Sequence, residues 1–111
     1  MCAQVKNKMT ILLNTILKND KLNLAEVLKS GATVIDVRSE KEFSYGNVPN
    51  SINIPLQQIT NEVEMLKLKQ PLVLCCASGM RSSMAVSELK KIGITEVYNG
   101  GDWKKVESQL I

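Results

Sequence analysis

Near the middle of the chain two adjacent thiols meet a run of small residues and one arginine, Cys75-Cys76-Ala77-Ser78-Gly79-Met80-Arg81-Ser82-Ser83. The apolar residues Leu72 to Cys75 suit a buried strand, and a helical pattern begins at Ser82 and continues to about Ile92. Cys76 therefore stands at a strand-to-helix turn. A loop of Ala, Ser and Gly lets successive backbone N–H groups point inward, and the first helical turn adds unsatisfied N–H groups and the positive end of the helix dipole. Such a cradle attracts anions. It would also favour the Cys76 thiolate, the nucleophilic form, with the Arg81 guanidinium adding to the field. Gly79 suits a position of positive φ, and Ser82 and Ser83 are N-cap candidates for a helix from Ser83 to Lys91.

The elements that must position this turn follow an alternating pattern. Asn23 with Glu26 has the spacing of a capped helix from Leu24 to Lys29, stopped by Gly31. Ala32 to Val37 is a β-branched run of the kind covered on both faces. Ser39 and Glu42 repeat the capping spacing for a helix to about Tyr45, ended by Gly46. Ser51 to Ile54 predicts a strand stopped by Pro55, and Leu56, Ile59, Val63, Met65 and Leu66 predict a helix to about Leu68. Glu96 to Asn99 predicts the final strand and Trp103 to Leu110 the terminal helix, with Tyr98 and Trp103 packed on the core. This alternation selects an α/β fold with a mostly parallel central sheet and helices on both faces. Ligands in such sheets sit beyond the carboxyl ends of the strands. Cys76, Asp36 and Arg38 all fall at such ends, so they can share one mouth. Arg38 is expected to pair with Glu40 or Glu42.

The segments Val34-Ile35-Asp36-Val37-Arg38, Glu42-Phe43, Gly46-Asn47-Val48-Pro49-Asn50-Ser51-Ile52-Asn53-Ile54-Pro55, the Cys76-to-Ser82 loop and Gly100-Gly101-Asp102-Trp103 stand in an order that resembles single-domain rhodaneses. The likeness runs from about Leu22 to Val106. It implies a rhodanese-like three-layer fold and a sulfurtransferase that carries sulfur as a persulfide on Cys76. The donor would be a small anion such as thiosulfate and the acceptor a thiol or another protein, with no cofactor. By the same resemblance Ala77, Ser78, Gly79, Met80, Arg81 and Ser82 bind the donor. Asp36, Arg38 and Glu42 support the loop, with Arg38 also a contact at the rim. Met80 would line the mouth.

The register of the thiol admits a competitor. Counted from Cys75, five residues precede Arg81, the spacing of Cys-dependent protein tyrosine phosphatases and arsenate reductases; counted from Cys76, four do, as in the shorter rhodanese loop. A glycine three residues after the cysteine, usual in both families, exists only for Cys76. A rhodanese-like docking module without turnover is the third reading. Two departures from the rhodanese pattern stand out. Gly46-Asn47-Val48 replaces the frequent Gly-His-Ile, which removes a titratable group, and the compressed Gly101-Asp102-Trp103 leaves the start of the last helix open.

The 111 residues suit one domain, expected at 22–111, preceded by an extension at 1–21. In that extension Ile11, Leu12, Thr15 and Ile16 recur at helical spacing beside Lys6, Lys8 and Lys18, which predicts an amphipathic helix that packs on the domain or a partner. The apolar stretch is short, is broken by Asn14 and lacks a small-residue cleavage site, so neither a signal peptide nor a membrane span is expected. A net charge of +3 is too mild for a nucleic-acid partner. Three cysteines, an odd number, argue against a disulfide framework, and Cys2 near the terminus is read as incidental. Cytoplasmic location is expected. With no His, a Cys-His pair and a histidine metal site are both excluded.

Overall fold

The computed structural model describes residues 20–110. The extension with Ile11, Leu12, Thr15 and Ile16, and with it Cys2, lies outside the described residues. In chain order the elements are α1 (Asp20–Lys29), β1 (Thr33–Asp36), α2 (Glu40–Ser44), β2 (Ile52–Asn53), a 3-10 segment (Leu56–Glu62), α3 (Val63–Leu68), β3 (Leu72–Cys76), α4 (Met80–Lys91), β4 (Val97–Asp102) and α5 (Trp103–Gln109). The four strands pair in the order β2-β1-β3-β4, all parallel. Among the described residues no helix is long and apolar enough to cross a membrane.

Side chains alternate across a strand, so the sequences of β1 and β3 sort the core into two layers. Ile35, Leu72, Leu74 and Cys76 face a cluster with Ile59 of the 3-10 segment, Leu66 of α3, and Ala85, Val86 and Leu89 of α4. Val34, Val73 and Cys75 face the opposite cluster, with Leu28 of α1 and Val106 of α5. This is the three-layer arrangement, and it sends the two adjacent thiols to opposite sides of the sheet.

Several boundaries differ from the sequence expectation. Within the described residues helix α1 is already under way at Asp20, so Asn23 lies inside it and not at its start. The stretch after Pro55 is a 3-10 helix before it becomes α-helical at Val63. Leu56 and Ile59 are three apart, the spacing that a 3-10 turn eclipses on one face. Strand β4 runs on to Asp102 through its two glycines. Opposite it the pairing jumps from Leu74 with Asn99 to Cys75 with Gly101, a bulge at Gly100. A Cβ on Gly100 would lie 2.7 Å from Val106 Cγ2 and 2.8 Å from Val73 Cγ1, so only glycine fits there. Asp102 then caps α5, accepting from Lys104 N–H at 2.9 Å, and the last helix starts directly at Trp103.

Candidate active site

The loop after β3 needs only three residues, Ala77 to Gly79, to reach α4. Gly79 takes φ +98°, a left-handed conformation that lets the chain turn and begin helix at Met80. The helix thus starts earlier than the expected Ser83. Ser82 and Ser83 are not caps: they lie in its first turns, and Ser82 is fully buried. The early start aims the amides at the sulfur. Gly79 N–H donates to Cys76 Sγ at 3.0 Å and Ser82 N–H donates at 3.4 Å, while Ser82 Oγ lies 3.4 Å away. Burial pushes the Cys76 thiol up, but the Ser82 hydroxyl and the N–H groups of Ser82, Gly79 and Ser78 outweigh it, and the balance lies below an ordinary cysteine. This is a thiol that can ionise inside a closed cradle.

Cys75 presents the contrast. Packed against Val34, Val73 and Val106, it is pushed up to about 12, chiefly by burial and then by the nearby Asp36 carboxylate. No hydrogen bond reaches its Sγ among the described residues. The register counted from Cys75 thus points a protonated thiol into the core beneath α1 and α5.

Arg81 makes no hydrogen bond to the Cys76 sulfur among the described residues, although the sulfur's charge is among the influences that raise the guanidinium. Its guanidinium donates from Nη1 to Glu42 Oε1 at 2.7 Å and from Nη2 to Glu42 Oε2 at 2.9 Å, a bidentate pair between α4 and α2. Glu42 is held at about 2, chiefly by Arg81, with Ser39 assisting. Ser39 and Glu42 form the expected capping box, so the short helix α2 is fixed at the end that holds the arginine. Asp36 and Arg38 are both buried, and Arg38 is no rim contact. Nor does it pair with the carboxylate of Glu40 or Glu42. It donates from Nη2 to Asp36 Oδ2 at 2.7 Å and to Gly46 O at 2.7 Å, reaches only the backbone carbonyl of Glu42, and stacks on Trp103 at 4.6 Å from the ring centre. A cation held between a carboxylate, two carbonyls and an aromatic face braces the site from below.

Ala77, Ser78 and Met80 are exposed on the outer side of the loop. Beside the loop lies an open depression of about 610 Å³ lined by Ser78, Gly79, Met80, Ser83, Met84, Asn99 and Gly101, with no charged residue in its wall. Sequence reasoning missed Asn99 and Asn53. Asn53 Nδ2 donates to Asp36 O at 3.0 Å and Arg38 O at 2.9 Å, tying the edge strand to the turn. Asn99 is hydrogen-bonded to Ser82 and Gly79. Neither position carries a local signal, because each acts across the sheet.

The site is thus a parallel α/β sheet whose interior strand β3 delivers a cysteine into an amide-lined loop. The Rhodanese-like domain family matches residues 20–108, and the chain belongs to that family. It is 39% identical over 75 residues to the uncharacterized protein YqhL of Bacillus subtilis (strain 168), covering 67% of this chain and 60% of that protein. It is also 28% identical over 74 residues to the thiosulfate sulfurtransferase GlpE of Ectopseudomonas mendocina (strain ymp), covering 67% of this chain and 68% of that one. Among solved structures, the human single-domain sulfurtransferase TSTD1 superposes with a TM-score of 0.62 at 26% identity, over 75% of this chain and 88% of that one. The chain spans less than two thirds of YqhL's own length.

Proposed function

We propose that this chain is a sulfurtransferase that carries sulfane sulfur as a persulfide on Cys76. The observation that carries the reading is the convergence of Gly79 N–H, at 3.0 Å, and Ser82 N–H, at 3.4 Å, on a single sulfur at the N-terminus of α4. Family membership and relatives named as sulfurtransferases support it. In the first half-reaction the Cys76 thiolate attacks the outer sulfur of thiosulfate. A new S–S bond forms, the old one breaks, and sulfite leaves with the bonding pair. In the second, an acceptor thiolate or cyanide attacks that outer sulfur, and Cys76 departs as thiolate. Neither step needs a general base. Both need donors that hold negative charge on the attacking, transferred and leaving sulfur, and main-chain amides fixed by the fold supply them without reorganising.

The second substrate of this reading is a thiol, small or protein-borne. The depression beside the loop has Met80 and Met84 on one wall and no charge, so it suits the apolar surroundings of a thiol. A reactive thiol of this kind belongs in a reducing compartment, and the reading assigns the chain to the cytoplasm. Thiocyanate formation from thiosulfate and cyanide tests it. The expected result is turnover in the parent chain and in Cys75→Ala, and none in Cys76→Ala. Turnover that survives Cys76→Ala contradicts the proposal.

A further inference from the structure

Asn99 contributes three hydrogen bonds to the cradle, and together they fix which way its amide points. Its Nδ2 faces the carbonyl of Gly79 at 3.1 Å, which needs a donor, and its Oδ1 faces Gly101 N–H at 2.9 Å, which needs an acceptor. No flipped amide satisfies both. Ser82 Oγ lies 2.6 Å from that same Oδ1, which has no proton to give. The hydroxyl must therefore be the donor, and a serine has only one proton. At Cys76 Sγ, 3.4 Å away, the same oxygen presents lone pairs and can only accept.

We propose that Asn99 is a positioning residue that withholds the Ser82 hydroxyl proton from Cys76 while the thiol is neutral and releases it when the thiolate forms. In the neutral state the order is Sγ–H to Ser82 Oγ and Oγ–H to Asn99 Oδ1, with no donor left over. When Sγ loses its proton it faces those lone pairs, and the hydroxyl rotates about Cβ–Oγ to donate to sulfur. Asn99 Oδ1 keeps Gly101 N–H and so is not stranded. The help that the Ser82 hydroxyl gives the thiolate is thus opposed by Asn99, and a chain without the Asn99 acceptor ionises more readily.

The other groups around the sulfur are already committed. On the strand side, Asp36 pairs with Arg38. On α2 and α4, Glu42 pairs with Arg81. At the end of β4 Asp102 caps Lys104 N–H. The 3-10 segment and α3 contribute apolar Leu56, Ile59 and Leu66 to that side, and Cys75 points to the other face. The serine proton is the mobile element.

This inference rests on Cys76 being the reacting thiol, but its test reads ionisation and not sulfur transfer, so a chain that never accepts sulfur still answers it. Thiolate ultraviolet absorbance would be followed against pH in a Cys2→Ser background, in which Cys75, pushed up to about 12, stays silent. At a fixed pH below the midpoint, Asn99→Ala should show about tenfold more thiolate than its parent. Ser82→Ala should show less, and the double variant should match Ser82→Ala, because Asn99 acts only through that hydroxyl. Asn99→Leu, with the same branched arrangement of four heavy atoms and also without an acceptor, gives the same reading should Asn99→Ala unfold. A purely structural Asn99 would loosen the loop and lower the thiolate fraction. That outcome, or an Asn99 effect that persists in Ser82→Ala, overturns the proposal.

Discussion

Two neighbouring cysteines of one strand carry opposite physical chemistry because strand geometry sends one sulfur to a ring of amides and the other into aliphatic packing. Cys75→Ala should leave reactivity at Cys76 intact and cost about 1 kcal/mol in urea denaturation, the scale of a small buried deletion. The Glu42–Arg81 pair makes a second prediction. The Glu42 carboxyl is depressed, so its contribution to stability is present above the ordinary glutamate value of about 4.3 and lost as pH falls toward about 2. An NMR titration should place its midpoint near the lower figure. At 38% side-chain exposure the pair is screened, so Glu42→Gln should change stability by less than about 1 kcal/mol. Under the proposed function it should lower KM for thiosulfate severalfold, because the donor no longer competes with a carboxylate for Arg81; a raised KM would show the pair to be needed for binding. At this scale the sequence was informative about Cys76, Gly79 and the Ser39–Glu42 box, all local patterns. It was uninformative about partners chosen across the sheet, which is why the sequence suggests a rim position for Arg38 and gives no sign of Asn99.

At the scale of elements, the glycines decide where the loop and the last strand go. Gly79→Ala places a side chain at φ +98° with its Cβ 3.3 Å from Gly101 Cα. It should cost about 1–2 kcal/mol and, by turning the loop amides away, slow alkylation of Cys76. Gly100→Ala overpacks against Val73 and Val106 and should cost about 1–3 kcal/mol in the same denaturation measurement, with the bulge displaced. Strand and helix order was legible from the apolar runs and capping spacings. The end of β4 was not, because glycines weaken a strand in sequence terms while a bulge backed by close packing carries the strand through them. The start of α4 was missed for a related reason: serines read as caps, and a left-handed glycine took that place.

For the molecule as a whole, the site depends on a brace that joins both layers. Arg38 links Asp36 of β1, the carbonyl of Gly46 after α2, and the ring of Trp103 on α5. Arg38→Ala would leave the Asp36 carboxylate buried without its partner and should destabilise by about 3–5 kcal/mol, read from the urea midpoint. The three-layer architecture was legible because alternating elements admit few topologies; the brace was not, because its members are far apart in sequence. The account's central claim is that the amide cradle keeps Cys76 able to take up a sulfur atom. It is tested most directly by the intact mass of the full chain after incubation with thiosulfate and removal of excess donor, followed by peptide mapping. The account predicts a gain of one sulfur atom on the peptide bearing Cys75 and Cys76 in the parent and in Cys75→Ala, and no gain in Cys76→Ala. An unchanged parent mass, or an adduct retained in Cys76→Ala, would contradict it.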